Sequence, residues 1–448
     1  MRKRADRQHP SHGETGMTAG LLLLLSTFAS DGTAWAADAA RAAEENAQPA
    51  QTNDAGQQPA APAGWLDAVK LYGHLEAGIT GNPNAPRRNF GRLFDDHTNE
   101  PSLNQLMVTA ERPLDPKATG YDFGFKLQGL YGSDARFTHV YGQFNWVIND
   151  TNQIAIVEAY GSAHLPILTD GGMNVKLGQF ASPMSAEAID ATQNSFYSHS
   201  YIFNFGVPFQ HTGVLTTTHV NSVLDIYAGL DTGVNAWLGS SGDGLNNDTL
   251  LHGQGGVGLT LLGGDLTIMG LTHIGPENPK RAFGNSVNDD LRYINDGVIT
   301  WKASDKLTFT TDLNYVHDDG LRSTGYGGAQ YVAYTLNNWL TFVGRGEVWR
   351  DNNGAFVASF NEPLDFVRAE RGFDISPGGV VSGGRTTYGA LTGGVNVKPQ
   401  GLPKAIDGFV IRPELRYDRS LNGTAPFNNS TSHHSWTIAA DFILPLAF

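Results

Sequence analysis

The last fourteen residues, SWTIAADFILPLAF, restrict the fold more than any other stretch of the chain. Trp436, Ile438, Ala440, Phe442, Leu444, Leu446 and Phe448 make one row with no polar member, while Thr437, Ala439, Asp441, Ile443, Pro445 and Ala447 make a mixed one. A period of two belongs to a β-strand, whose successive side chains point to opposite faces. In a soluble sandwich the apolar row needs a second layer to cover it. In a membrane β-barrel it faces lipid directly, with aromatic residues at the two interfaces. Aromatics at both ends of the row favour the barrel. The same strand is then the expected handle for the barrel-assembly machinery.

The alternation recurs along the chain. Over residues 70–80, Leu71, Leu75, Ala77 and Ile79 oppose Lys70, Tyr72, His74, Glu76 and Thr80. Over 307–316, Leu307, Phe309, Leu313 and Tyr315 oppose Thr308, Thr310, Asp312 and Asn314. The clearest case is 409–418, where Phe409, Ile411, Pro413, Leu415 and Tyr417 oppose Arg412, Glu414, Arg416 and Asp418. Turning that charged row to lipid would cost on the order of 10 kcal/mol, so the register is fixed with charges toward the lumen. Trp301, Tyr315, Tyr417, Trp436 and Phe448 are the expected aromatics at the membrane interfaces. About seventeen candidate strands can be placed, separated by turn signals such as Gly263-Gly264-Asp265 and Asn352-Asn353-Gly354. Single-chain bacterial barrels have even strand numbers, so the expectation is an all-β, closed antiparallel barrel of 16 strands, with 18 as the next choice.

The start of the chain reads as an export signal. Arg2, Lys3, Arg4 and Arg7 precede a short apolar run, Leu21 to Leu25, and Ala34-Trp35-Ala36 supplies a cleavage site. Residues 1–36 are the expected signal peptide, with Met17 as an alternative start. Residues 37–64 are rich in Ala, Gln and Pro and are the expected disordered linker. The barrel should then occupy 65–448 as one domain, with no plug ahead of it. No later stretch is apolar for long enough to span a membrane as a helix. Cysteine is absent, which removes disulfides and thiolate sites. The net charge of −14 argues against nucleic acid as a partner. Lipid of a Gram-negative outer membrane and small polar solutes are the expected partners. By analogy with porins of this size, a homotrimer is the expected assembly.

One stretch breaks the pattern. Residues 181–211, ASPMSAEAIDATQNSFYSHSYIFNFGVPFQH, follow a good strand but are long and rich in Ser, Asn and Tyr. A loop of this length can fold into the lumen and set its narrowest point, or lie outside as an ordinary external loop. The runs NVKLGQFASPMSAEAID (174–190), NSFYSHSYIFNFGVPFQHTGV (194–214) and DTGVNAW (231–237) resemble the OmpL-like β-barrel porin-2 family of outer-membrane porins. LYGHLEAGITGN (71–82), THIGPEN (272–278), WKASDKLTFTTDLNYVHDDG (301–320) and GRGEVWRDNNG (344–354) extend the resemblance over nearly all of 65–448. It implies an outer-membrane pore without a defined solute. The family's R-x-E strand corresponds to Arg345 and Glu347, which should enter the lumen beside Asp351.

The expected constriction therefore comprises Arg345, Glu347, Asp351, Arg412, Glu414, Arg416 and Asp418 on the wall, with Glu187 and Asp190 on the loop. Facing rows of Arg and acid would set a transverse field favouring dipolar solutes. The same residues could instead brace the barrel through ion pairs. No nucleophile elbow, zinc-protease or phosphate-loop motif is present. No catalytic residue, metal site or cofactor is therefore expected. His433-His434 reads as loop, and Asp243, Asn246, Asn247 and Asp248 lack the spacing of a calcium loop. The expected function is passive diffusion of small polar solutes through a water-filled lumen narrowed by the inward-folded loop. The alternative is a non-conducting barrel serving as adhesin, structural protein or hydrolase.

Overall fold

Lipid offers no partner for backbone amides, so a strand that crosses it must pair along both edges. The chain meets this demand by closing its ladder on itself. The computed structural model describes residues 64–447, apart from 141–142, 145–150, 238–251, 285–286 and 288. The expected signal peptide, the linker except Gly64, the cluster at 243–248 and Phe448 lie outside the described residues.

In chain order the strands are β1 (Lys70–Gly81), β2 (Pro101–Arg112), β3 (Asp122–Gly132), β4 (Gln153–Leu165), β5 (Met173–Ala181), β6 (Gln210–His219), β7 (Leu224–Asp231), β8 (His252–Leu261) and β9 (Leu266–Gly275). They continue with β10 (Arg292–Ser304), β11 (Leu307–Asp318), β12 (Ser323–Asn337), β13 (Leu340–Asp351), β14 (Ala358–Phe360), β15 (Val380–Ser382), β16 (Thr386–Val397), β17 (Val410–Ser420) and β18 (His434–Ala447). Sixteen of them form a closed antiparallel barrel, and β14 and β15 form a separate hairpin between β13 and β16. The seam pairs β1 with β18, from Tyr72 opposite Ala447 to Gly81 opposite Ile438.

Short turns collect at one end. Between β8 and β9, Leu262, Gly263 and Gly264 all take positive φ, which is why two glycines stand there. Longer loops collect at the other end, the extracellular one in barrels of this class. The connections there are L1 (82–100), L2 (133–152), L3 (182–209), L4 (232–251), L5 (276–291), the tight turn L6 (319–322), L7 (352–385) and L8 (421–433).

The faces of the strands follow the alternation. On β17, Arg412, Glu414, Arg416 and Asp418 are buried inward, whereas Pro413 and Leu415 face out. Trp301, Tyr315 and Trp436 stand on the outer surface, and Tyr417 packs on Trp436 with ring centroids 4.4 Å apart.

The inward face is not uniformly polar, which corrects the simple picture of a greasy exterior and wet interior. Toward the mouth, β2, β3 and β4 turn Met107, Leu130, Ala155 and Val157 inward, where they pack on Leu93 and Phe94 of L1, Phe137 of L2, Phe203 and Phe209 of L3, and Phe360 and Phe366 of L7. On the opposite wall, Leu271, Ile294, Val316, Trp349 and Tyr388 pack against Phe90, Met184, Tyr201 and Ile202. The loops thus supply the inner layer that a soluble sheet would take from a second sheet. Alternation alone could not reveal this, because it reports the outer face, which lipid keeps apolar, and leaves the inner face free.

Candidate functional site

L3 leaves the wall after β5, crosses the lumen and returns at β6. Its course is set by local bonds. The Asn194 side chain bonds the Ala188 N–H (2.9 Å) and the Ala188 carbonyl (2.7 Å), closing a tight loop. The Asp190 carboxylate accepts the Thr192 N–H (3.0 Å) and starts the turn Ala191–Gln193. Ser200 Oγ accepts the Phe203 N–H (3.1 Å) and caps the short helix Tyr201–Phe205.

A loop inside a barrel carries backbone groups that need partners. Here the wall supplies them by charge type. Arginines take the loop's carbonyls. Arg345 Nη1 donates to Ser198 O (2.7 Å), Arg416 Nη1 to His199 O (2.6 Å), and Arg412 Nη1 to Ala191 O (2.9 Å) and Asn194 O (2.7 Å). Carboxylates take the loop's amides. Glu414 accepts from Tyr197 N (3.0 Å) and Ser198 N (3.2 Å), and Glu347 from Tyr201 N (2.7 Å). Asp296 accepts from Ser185 N (2.6 Å), and Asp312 from Ala186 N (2.9 Å). Charge-assisted bonds of this kind are about twice as strong as neutral ones.

The charges also neutralise one another. Arg345 Nη1 lies 2.7 Å from Glu187 Oε1, and its Nε lies 3.3 Å from Glu347. Arg416 pairs with Asp418 at 2.8 Å and Glu347 at 3.3 Å. Arg412 pairs with Glu76 at 2.9 Å and with Asp441. Arg92 of L1 reaches Asp418 at 2.8 Å. Burial pushes the Glu187 carboxyl up, but Arg345 and His199 pull harder, and it settles at about 2.

Eight of the nine expected residues meet at or beside L3: Glu187 and Asp190 on it, and Arg345, Glu347, Arg412, Glu414, Arg416 and Asp418 on the wall. Cations and anions interleave on one wall instead of forming facing rows, so the transverse field expected from the sequence has no geometric basis. The ninth, Asp351, sits away from L3 at the root of L7. Its carboxylate accepts the N–H groups of Asn353, Gly354, Ala355, Phe356 and Val357. Of the nine, Asp190 has the most accessible side chain among those in ion contacts, at 12 %. Thr192 and Gln193 beside it are exposed. Glu76, Arg92, Asp296, Asp312, Tyr331 and Asp441 were missed. Glu76, Asp312 and Asp441 stand on inward rows read from the sequence, where charge inside a strand was the available signal. Arg92 lies on a loop, where no periodicity applies.

The chain matches, over residues 68–446, the family described as "Putative beta-barrel porin-2, OmpL-like". It belongs to that family. This porin is similar in fold to three solved outer-membrane proteins. One is the outer membrane channel DcaP of Acinetobacter baumannii, at 12 % identity and TM-score 0.50, covering 84 % of this chain and 97 % of that one. Another is the anion-selective porin from Comamonas acidovorans, at 10 % identity and TM-score 0.50, covering 85 % and 99 %. The third is OmpF of Salmonella typhi in complex with daunomycin, at 7 % identity and TM-score 0.51, covering 84 % and 97 %. At these identities the likeness concerns the fold alone. A comparison with curated proteins finds no match. The porin's place is the outer membrane, and its barrel is a channel for passive diffusion, narrowed by L3.

Proposed function

We propose that small polar solutes pass L3 at its exposed stretch, Thr192 and Gln193, and that the wall arginines and acids, with Gln105 of β2 (2.6 Å from Ile189 O) and Gln128 of β3 (3.3 Å from Asp190), hold the rest of the loop without touching the solute. What carries this reading is the pattern of loop carbonyls on Arg345, Arg412 and Arg416 and loop amides on Glu347 and Glu414. At that stretch the loop offers Thr192 and Gln193, with Asp190 beside them. The wall offers the Lys126–Glu158 pair (3.1 Å), Tyr72 on Glu111 (3.0 Å), and exposed Lys176 over the Tyr160 ring. Paired charges and hydroxyls suit neutral or zwitterionic solutes such as saccharides or small peptides better than a single ion type.

In this reading the chain is exported to the outer membrane of a Gram-negative cell through the signal at 1–36, inserts by way of β18, and assembles as a homotrimer. It is a channel and not a hydrolase. Ser182 Oγ lies 3.3 Å from His211 Nε2, but His211 Nδ1 stands 3.4 Å from Asp231 Oδ2, outside good hydrogen-bond geometry. A poised nucleophile needs both links in line.

The test is single-channel conductance in planar bilayers. The wild type should give steady ohmic steps. Arg345→Ala removes the partner of Glu187 and Glu347 and should loosen L3 by about 3–5 kcal/mol, giving larger, noisier steps. Silence from folded, heat-modifiable protein would sink the proposal and favour a non-conducting barrel, the reading that the apolar packing of loops at the mouth would then support.

A further inference from the structure

We propose that the mouth ends of β6, β7 and β9 form a binding site for a first-row divalent transition ion, with Zn2+ as the best fit. The ligands are His211, Asp231 and His273. One donor atom from each lies within 4.8 Å of the others, and all three residues are buried. His211 Nδ1 is 3.4 Å from Asp231 Oδ2, and His273 Nε2 is 3.1 Å from Asp231 Oδ1. With metal–ligand bonds of about 2.0–2.1 Å, neighbouring donors of a tetrahedral site stand about 3.3 Å apart. The observed distances, one to each oxygen of the Asp231 carboxylate, are of that order. Two imidazoles and one carboxylate suit Zn2+, with a water completing the four.

Three further observations point to a ligand. First, His211 Nδ1, one of the proposed ligand atoms, is buried and lacks a hydrogen-bond partner among the described residues. Buried polar atoms are rarely left so, and here His211 Nδ1 points at the carboxylate of the candidate site. Second, each ligating ring has a group at its other nitrogen. His211 Nε2 is 3.3 Å from Ser182 Oγ, and His273 Nδ1 is 3.8 Å from Glu277 Oε1. The Ser182 contact is of the kind that orients a metal-binding histidine, whereas Glu277 stands beyond hydrogen-bond distance and adds only negative charge beside His273. Gln254 Nε2 (2.9 Å) and the Gly233 N–H (2.8 Å) hold the Asp231 carboxylate. Third, the backbone makes room for a neighbouring ring. A Cβ at Gly275 would stand 1.8 Å from the His252 ring, which stacks on His273 with centroids 5.8 Å apart. His252 therefore packs on the His273 ring beside the site.

The site also touches the constriction. Ser182 is the first residue of L3, its N–H bonds Phe209 O (2.9 Å) at the loop's return, and its hydroxyl meets a ligand ring. An ion here would tie three strand ends to the root of L3.

The test uses full-length mature protein without a histidine tag, folded in detergent and stripped with chelator. Co2+ should bind once per chain with the visible absorption of a tetrahedral site, and Zn2+ should displace it. His211→Gln/His273→Gln, shown to be folded by heat-modifiable mobility, should lose at least tenfold in Co2+ affinity. His433→Gln/His434→Gln should bind as wild type does. The proposal is overturned if folded wild type gives no such absorption, if the first variant binds undiminished, or if the second abolishes binding. It is equally overturned if a fluorophosphonate labels Ser182, because that requires His211 to serve the hydroxyl.

Discussion

Glu187 shows how a single carboxylate can hold a gate. It bonds Arg345, the Tyr331 hydroxyl (2.9 Å), His199 Nδ1 (2.9 Å) and the Ser200 N–H (3.0 Å). Its pKa lies near 2 instead of the ordinary 4.5. A depressed carboxylate contributes its stabilisation fully above the ordinary value and loses it as pH falls through the folded value. The shift corresponds to about 3 kcal/mol of docking energy. Conductance should therefore hold constant down to about pH 4.5 and grow unsteady as pH approaches 2. In Glu187→Gln the unsteadiness should be present at neutral pH. Identical traces for that variant and the wild type at neutral pH would remove Glu187 from the latch. The sequence marked Glu187 only as an acid on a long loop. Its four partners come from L3, β12 and β13, and no local pattern could announce them.

At the scale of elements, loops and not strands build the interior near the mouth. Phe94 of L1 meets Phe137 of L2 at 5.6 Å and Phe209 of L3 at 5.5 Å, while Phe366 of L7 meets Phe137 at 5.4 Å and Phe360 at 5.1 Å. Phe366 also meets Phe209 of L3 at 6.2 Å and so joins three loops, and cutting such a ring to alanine typically costs about 3–5 kcal/mol. Phe366→Ala should raise amide exchange in L2 and L7 while the strands stay protected. Uniform protection across both loops would show that they do not depend on this core. The strands themselves were legible, because lipid demands apolar residues at every second position and charges such as Arg412 and Arg416 forbid the opposite register. The long L3 was legible as a break in that rhythm. Its inward turn was proposed from its length and composition, but its anchoring was not, and the braced arrangement of the wall charges was left open. Both depend on L3 backbone atoms that have no one-letter code. The His211–Asp231–His273 cluster escaped for a related reason: its members lie on different strands and meet only once the cylinder is rolled up.

At the scale of the whole molecule, closure and constriction are linked through one side chain. Arg412 on β17 reaches Asp441 on β18, Glu76 on β1 and two L3 carbonyls, so it spans the seam where the first and last strands join. Until β1 and β18 zip together, Glu76 is not in place and the loop has no finished socket. The order of events during insertion follows: the cylinder seals first, and the inner barrier swings in afterwards. Vesicles holding a small dye should therefore leak in a brief burst as the protein inserts and then slow to a steady rate. A single steady rate from the outset would refute that order. A newborn channel of this kind is for a moment an unguarded hole, and the cell that makes it must tolerate the leak.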